Sequence, residues 1–145
     1  MNRKIPVAVL GATGVVGQRL VRRLARHPWF EPTTLAASER SAGKRYADAC
    51  AWRLPGAAYA GMGDRPVVAC DPARIDEPLV ISALDASVAR DVEPALAARG
   101  AYVCSNASAF RMDATVPLLV PELNADHIEL VAAQHANARQ IGRAS

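Results

Sequence analysis

An apolar run that leads into three regularly spaced glycines, VAVLGATGVVG, constrains the fold of this chain more than any other segment. The run predicts a β-strand, and the amphipathic residues after it predict a helix. Gly11 lets the chain turn, Gly14 lets a ligand approach the backbone, and Gly17 lets the helix pack closely against the strand. Because helix N-termini bind phosphate, the segment predicts a dinucleotide site, with a plain strand-to-helix connection as the alternative.

Composition indicates one globular domain with an ordinary core. The chain has 145 residues, of which 51% are apolar and 21% charged, and its formal net charge is +3. The arginines of the first predicted helix are not interleaved with aromatic residues, so we expect no nucleic-acid partner. The apolar stretch after Lys4 is too short for a signal peptide, and no span approaches membrane length, so we expect no membrane association.

The three cysteines, Cys50, Cys70 and Cys104, are odd in number and widely spaced, without a C-x-x-C pair. This spacing is typical of reduced thiols in a cytoplasmic protein, and it favours neither a disulfide framework nor a zinc site. The three histidines have no ligand-like partners nearby in the sequence. We therefore expect no metal.

Strand-like and helix-like segments alternate along the chain, which predicts an α/β fold with a doubly wound, mostly parallel, Rossmann-like sheet. The predicted strands are Ile5–Leu10, 33–38, Val67–Ala69, 79–84, 101–104 and 118–120. The predicted helices are 15–27, 87–99 around Pro94, and a last one capped by Asn124, with an irregular stretch over 39–63. We assign residues 1–136 to the domain and residues 137–145 to a loose tail.

The sequence AASERSAGK follows the second predicted strand, where a dinucleotide fold meets the adenine ribose. Glu39 could accept the ribose hydroxyl groups, which would favour NAD. Alternatively, Ser38, Arg40, Ser41 and Lys44 could surround a 2′-phosphate, which would favour NADP. A guanidinium and an ammonium suit a dianionic phosphate, so we expect NADP, with Glu39 facing the solvent.

Five blocks in order together resemble the N-terminal half of aspartate-semialdehyde dehydrogenase of the type found in archaea, fungi and some bacteria. The blocks are VLGATGVVGQRL, HPWF, LAASERSAGKRY, SNASAFRM and VPLLVPELNADHIELV. They extend over nearly all of the chain before the tail. Malonyl-CoA reductases are similar in the same blocks, so the substrate of the family stays open between β-aspartyl phosphate and malonyl-CoA.

The resemblance implies an NADPH-dependent reduction of β-aspartyl phosphate to aspartate semialdehyde through a cysteine thioester, a step toward lysine, threonine and methionine. It also implies a homo-oligomer, or association with a full-length subunit. In the family, part of the sheet is covered by elements that come after the catalytic domain. We therefore expect the strand over 79–84 to be incompletely covered and the chain to self-associate.

The resemblance also implies the residues of the cofactor site. The pyrophosphate turn comprises Gly11, Thr13, Gly14, Val15 and Val16, and the 2′-phosphate segment comprises Ser38, Arg40 and Ser41. The cofactor path and nicotinamide half involve Ser82, Ala83, Leu84, Ser105, Asn106 and Ala107. Arg111 matches the arginine that binds phosphate or acyl phosphate, whereas without the resemblance it would be interpreted as a surface arginine.

Departures from the family concern the chemistry. The nucleophilic cysteine of the family lies in an N-P-N-C-[ST] turn that this sequence lacks, and the substrate domain with its histidine and arginine is absent. Cys104 precedes Ser105 and Asn106, but we interpret it as a small buried thiol. Asp85 and Phe110 stand where the family often has proline and histidine. We therefore predict no catalytic residue and no turnover by this chain.

Two other functions stay open on sequence grounds. One is a non-catalytic NADP-binding module or degenerate subunit. The other is a different NAD(P)-dependent reductase, such as a short-chain reductase. That class needs a Tyr-x-x-x-Lys pair, and the sequence has none, so we rank it last.

Overall fold

The computed structural model describes residues 3–137, with side chains described as far as Gln134. The strands are β1 (Ile5–Leu10), β2 (Phe30–Ala37), β3 (Val67–Ala69), β4 (Leu79–Ser82) and β5 (Tyr102–Ser105). The α-helices are α1 (Val15–Leu24), α2 (Tyr46–Ala49), α3 (Ala86–Ala98), α4 (Pro121–Asn124) and α5 (Glu129–Asn137). Short 3-10 helices cover Ala58–Gly61, Pro72–Arg74, Ser108–Phe110 and Ala125–Ile128.

The five strands form one parallel sheet in the order β3-β2-β1-β4-β5. The order reverses next to β1, so the carboxyl ends of β1 and β4 border a crevice of the kind that binds ligands in doubly wound folds. The predicted α/β, Rossmann-like class is therefore confirmed. Within residues 3–137, none of the helices has the length and apolar character needed to cross a lipid bilayer.

Two apolar cores lie on the two faces of the sheet, because side chains alternate along each strand. Val7 and Val9 of β1 pack with Val21 of α1 on one face. Ala8 and Leu10 pack with Leu96 of α3 on the other. Burial of these apolar side chains against α1 and α3 therefore holds β1, and the glycine turn that follows it, in place.

One face of β4 and β5 is only partly covered. Leu79 pairs with Tyr102 and Ile81 pairs with Cys104, so these four side chains share the α1 side of the sheet. Tyr102 is 53% exposed and Cys104 is also exposed. The prediction that Cys104 is buried is wrong, because within the described part of the chain the core on the α1 side reaches Leu79 and Ile81 of β4 but leaves Cys104 of β5 exposed. We call these four residues the open face.

The predicted strand over residues 118–120 is wrong. The carbonyl of Leu118 accepts from Nδ2 of Asn124 at 2.7 Å, and the amide of Val120 donates to Oδ1 of the same side chain at 2.7 Å. These bonds occupy backbone groups that a sheet ladder would need. They also engage the side chain that was predicted to cap the last helix: Asn124 stands at the N-cap position of the 3-10 helix Ala125–Ile128, but its side chain makes no capping hydrogen bond there.

Other element boundaries differ modestly from the predictions. The first helix ends at Leu24, before the predicted end at residue 27, and Pro94 lies inside a helix that starts and ends one residue early. The stretch predicted to be irregular holds α2 and one 3-10 helix. Nearly all of the predicted loose tail, residues 138–145, lies outside the described residues.

Candidate functional site

The glycine turn between β1 and α1 requires two of its glycines sterically. Gly11 has a φ of +70°, and a Cβ there would lie 2.5 Å from the carbonyl oxygen of Ala83. A Cβ on Gly17 would lie 2.1 Å from the carbonyl oxygen of Gly11. Both contacts are with backbone atoms, so no side-chain movement could relieve them. The turn, the start of α1 and the end of β4 are therefore packed backbone against backbone.

The start of α1 is available to an anion. Gly14 is the N-cap residue, no side chain caps the helix, and its first turn holds no acidic residue. Val15 and Val16 are 44% and 43% exposed. Uncapped N–H groups at the positive end of the helix dipole attract phosphate, as expected for the predicted pyrophosphate turn.

Carbonyl groups of the turn are bound from beneath by α2 and the residue after it. The hydroxyl of Tyr46, which is fully buried, donates to the carbonyl of Ala12 at 2.7 Å. The thiol of Cys50 lies 3.7 Å from the carbonyl of Thr13. Burial raises the pKa of the Tyr46 hydroxyl, so this group stays protonated and continues to donate. These contacts support the backbone of the turn from the side opposite the cleft lining.

Gln18 joins the turn to the segment after α2. Its Nε2 donates to the carbonyl of Thr13 at 3.0 Å and to the carbonyl of Ala51 at 3.1 Å. Its Oε1 accepts from the backbone N–H of Arg53 at 2.8 Å. The side chain is 1% exposed, so all three bonds form away from water and fix Arg53 beside the start of α1.

A cleft of about 380 Å³ lies beside these contacts. It brings together the predicted pyrophosphate turn and the predicted 2′-phosphate segment. Its lining includes Thr13, Gly14 and Val15 of the turn and Ser38, Arg40 and Ser41 of the loop after β2. Gln18, Ala49, Ala51 and Arg53 complete its lining. The structure thus places a helix N-terminus and two guanidinium-bearing residues around one cavity.

The loop after β2 carries the polar groups of the cleft. The hydroxyl oxygens of Ser38 and Ser41 lie 3.4 Å apart, and the N–H of Ser41 donates to the carbonyl of Ser38 at 2.8 Å, which makes a tight turn. Arg40 between them is exposed. Glu39 is also exposed, as predicted, and is not among the residues that line the cleft. The charge that the loop offers to the cleft is therefore positive.

The end of β4 meets the glycine turn through its backbone. The N–H of Ala83 donates to the carbonyl of Leu10 at 3.0 Å, next to Gly11. Ser82 is fully buried, and its hydroxyl lies 3.5 Å from the N–H of Leu84. The Ser82 side chain is therefore not accessible, whereas Ala83 and Leu84 are partly exposed at this edge.

Asn106 directly follows β5 and lies at the carboxyl edge of the sheet, next to the end of β4. Its N–H donates to the carbonyl of Ser82 at 2.9 Å, and its side chain is exposed. The hydroxyl of Ser105 points inward, where it donates to Glu93 at 2.5 Å and accepts from the N–H of Ala107 at 3.0 Å. Asn106 is thus the residue of this turn whose side chain is free to meet a ligand.

Arg111 follows the 3-10 helix Ser108–Phe110 and is exposed. It is outside the lining of the cleft. Of the two positions that depart from the family pattern, Asp85 is exposed at the N-cap of α3 and Phe110 is partly buried.

The thiols show no sign of activation. Desolvation by the surrounding protein raises the pKa of Cys50, Cys70 and Cys104, at Cys104 even though part of the residue is exposed, so the nucleophilic thiolate is disfavoured at each. An activated cysteine needs a nearby cation or helix N-terminus that lowers its pKa. None of the three has the electrostatic environment of a catalytic nucleophile.

Four residues that line the cleft were not predicted from the sequence, namely Gln18, Ala49, Ala51 and Arg53, and two of these have polar side chains. Arg53 lies in a stretch without periodicity, and only contacts across more than thirty residues bring it to the turn. Gln18 follows Gly17 directly and is the one signal that could have been used, because a glutamine next to buried helix positions needs polar partners.

Comparisons with known proteins agree with this geometry. A family model described as "Semialdehyde dehydrogenase, NAD binding domain" matches residues 6–131. The chain is similar to aspartate-semialdehyde dehydrogenase of Archaeoglobus fulgidus, with 47% identity over 131 residues, 90% of this chain and 38% of that protein. The protein of the same name from Methanothermobacter thermautotrophicus is 48% identical, with the same coverage of both chains. The chain therefore spans well under half the length of these relatives.

Solved structures show the same likeness. The crystal structure of aspartate semialdehyde dehydrogenase with NADP from Candida albicans superposes with a TM-score of 0.87 at 38% identity, covering 98% of this chain and 42% of that one. Aspartate semialdehyde dehydrogenase II from Vibrio cholerae gives a TM-score of 0.68 at 26% identity, covering 91% of this chain and 36% of that one. Glycine turn, sheet order and sequence matches thus agree, and the chain belongs to the semialdehyde dehydrogenase family, of which it represents the NAD-binding domain.

Proposed function

We propose that this chain binds NADP and that the protein it represents reduces β-aspartyl phosphate to aspartate semialdehyde with NADPH. The observation that carries the proposal is the cleft in which Ser38, Arg40, Ser41 and Arg53 lie beside the uncapped start of α1. A pyrophosphate at the helix start and a 2′-phosphate at the serine–arginine loop would occupy its two ends.

Electrostatics favours NADP over NAD. A 2′-phosphate carries about two negative charges, and planar guanidinium groups bind it through paired, charge-assisted hydrogen bonds. Arg40 and Arg53 both line the cleft, whereas the carboxylate of Glu39 lies outside its lining. A site for the ribose hydroxyl groups of NAD would instead place an acidic side chain inside.

The substrate end of the proposal rests on Asn106 and Arg111 and on the names of the relatives. Arg111 is exposed and always charged, which suits a phosphate or acyl phosphate anion. No nucleophilic thiol accompanies it among the described residues, so we propose that the present chain binds cofactor without turnover. The three free thiols fit a reducing compartment, and we place the protein in the cytoplasm.

Calorimetric titration with NADPH and NADH tests the cofactor. We expect tighter binding of NADPH, and we expect Arg40→Ala to weaken it by about 1–3 kcal/mol with little effect on NADH, since only the 2′-phosphate contact is lost. Arg23→Ala is the matched control, because this exposed arginine of α1 is not among the residues that line the cleft. Equal affinities for the two cofactors would contradict the proposal.

We further propose that the open face drives self-association. Leu79, Ile81, Tyr102 and Cys104 present partly exposed apolar surface, which favours burial against a second copy of this chain. We expect a dimer or larger species in sedimentation velocity, and a monomer for Tyr102→Glu. Met112→Glu is the control for an exposed apolar residue elsewhere, since Met112 is 94% exposed. A wild-type chain that sediments as a monomer would rule this out.

A further inference from the structure

A buried carboxylate lies behind the turn that follows β5. Of the charged side chains that the structure describes, Glu93 alone is buried, with an exposed fraction of 0%. It lies inside α3, directly before Pro94, and faces the loop that leaves β5. Burying a carboxylate is unfavourable unless its oxygens are hydrogen-bonded, so its presence here needs a reason.

Two hydrogen bonds in series connect Glu93 to the backbone of the turn. The hydroxyl of Ser105 donates to Oε1 of Glu93 at 2.5 Å, and the same hydroxyl accepts from the N–H of Ala107 at 3.0 Å. A serine hydroxyl can rotate, and the carboxylate fixes its hydrogen so that its lone pairs face Ala107. Glu93 therefore sets the geometry of the backbone around Asn106.

The other side of the same turn is fixed by the sheet. The N–H of Asn106 donates to the carbonyl of Ser82 at 2.9 Å, which continues the β4–β5 ladder by one residue. Ser105 is bonded to Glu93, Asn106 to Ser82 and Ala107 to the Ser105 hydroxyl, so the chain is held before, at and after Asn106. Its exposed side chain is then carried in one direction at the edge where Ala83 meets Gly11.

The second oxygen of Glu93 indicates that this arrangement is unfavourable for the fold. Oε2 is buried and makes no hydrogen bond with any residue from 3 to 137. A buried acceptor without a donor destabilises the folded state, and an apolar side chain of similar size would avoid that loss. The hydrogen bond that Glu93 accepts from Ser105 is therefore the contact that a role for this glutamate must explain.

We propose that Glu93 is a positioning residue for the dinucleotide, which acts through Ser105 to orient Asn106 toward the nicotinamide half of the cofactor. The proposal rests on the proposed binding of NADP. The adenine end of the ligand meets Ser38, Arg40 and Ser41 on a different loop, so the two ends of the site depend on different residues. Loss of Glu93 weakens only the part of the binding that the nicotinamide half supplies.

Three variants separate positioning from simple structural support. Glu93→Leu removes the acceptor for Ser105 and the orphaned oxygen together. Glu93→Gln keeps an amide oxygen that can accept from Ser105, so it is the conservative rescue. Ser105→Ala removes the hydroxyl that connects Glu93 to Ala107, and it decides the question if Glu93→Leu fails to fold.

The experiment compares two probes by calorimetry: NADP⁺, and adenosine 2′,5′-bisphosphate, which lacks the nicotinamide half. We expect Glu93→Leu and Ser105→Ala to weaken NADP⁺ binding roughly fivefold to tenfold, as for one hydrogen-bonded contact, with adenosine 2′,5′-bisphosphate unchanged. Glu93→Gln should bind both probes like the wild type. Equal weakening of both probes, or no weakening of either, would overturn the positioning role.

Amide hydrogen exchange on the ligand-free chain separates this inference from the proposed function. The Ala107 amide should be protected in the wild type and in Glu93→Gln and should exchange faster in the other two variants. If the wild type binds neither probe, the proposed function fails. The hydrogen-exchange rate of the Ala107 amide then still tests whether Glu93 acts on Ala107 through Ser105. Unchanged protection of Ala107 in Ser105→Ala and Glu93→Leu would overturn the inference.

Discussion

Gly17→Ala is expected to lower the free energy of unfolding by about 3 kcal/mol or more, which is much of the total stability of an ordinary domain. The new Cβ would lie 2.1 Å from the carbonyl oxygen of Gly11 and 2.7 Å from Cα of Ala12. Neither atom belongs to a flexible side chain, so relief requires α1 to move away from β1. Urea denaturation followed by circular dichroism measures the change.

Gly63→Ala is the matched control for the same chemical change. A Cβ there meets only side-chain atoms of Ala47 and Tyr59 at 3.5 Å or more, which is ordinary contact. Its free energy of unfolding should change by less than about 1 kcal/mol. If Gly17→Ala unfolds at the same urea concentration as Gly63→Ala, the close packing of α1 on the turn is not as described.

We expect this chain to show no semialdehyde dehydrogenase turnover. A thioester mechanism requires a thiolate with a lowered pKa and a nearby acid–base group. Desolvation by the surrounding protein instead raises the pKa of Cys50, Cys70 and the partly exposed Cys104. An assay of the chain with aspartate semialdehyde, phosphate and NADP⁺ should therefore show no NADPH above the rate without protein.

Cys104 provides the sharpest check on that expectation, since it is the exposed thiol and immediately precedes Ser105 and Asn106. Cys104→Ser should leave the background rate and the affinity for NADPH unchanged. Turnover by the wild type that disappears in Cys104→Ser would identify a nucleophile that its electrostatic environment does not indicate.

Local chemistry explains which parts were predictable from the sequence. The glycine turn depends on residues adjacent in the chain, so the roles of Gly11 and Gly17 followed from their spacing, and the structure places both against backbone. Parallel order followed from the alternation of strands and helices. The serine–arginine loop was predicted from its place after β2, where folds of this class meet the ribose, and the structure shows that it lines the cleft; its contact with the cofactor stays a prediction.

Long-range contacts explain the errors and omissions. The apolar residues from 118 to 120 fit a strand pattern, but one asparagine side chain occupies their backbone groups. Cys104 lies in a short apolar strand, which is typical of a core position, but the described helices leave it exposed. The places of Arg53 and Glu93 could not be predicted, because each depends on a partner distant in the sequence, Gln18 for Arg53 and Ser105 for Glu93.

The most direct test of the central claim is a titration of the isotope-labelled chain with NADP⁺, followed by its amide resonances. Binding as described should shift the amides of residues 11–17 and 38–41 together, with the amides of Arg53, Ala83, Leu84 and Asn106, because one extended dinucleotide contacts all of them. The amides of α5 should not move. Shifts confined to another surface, or none at saturating NADP⁺, would contradict the assignment of this cleft as the cofactor site.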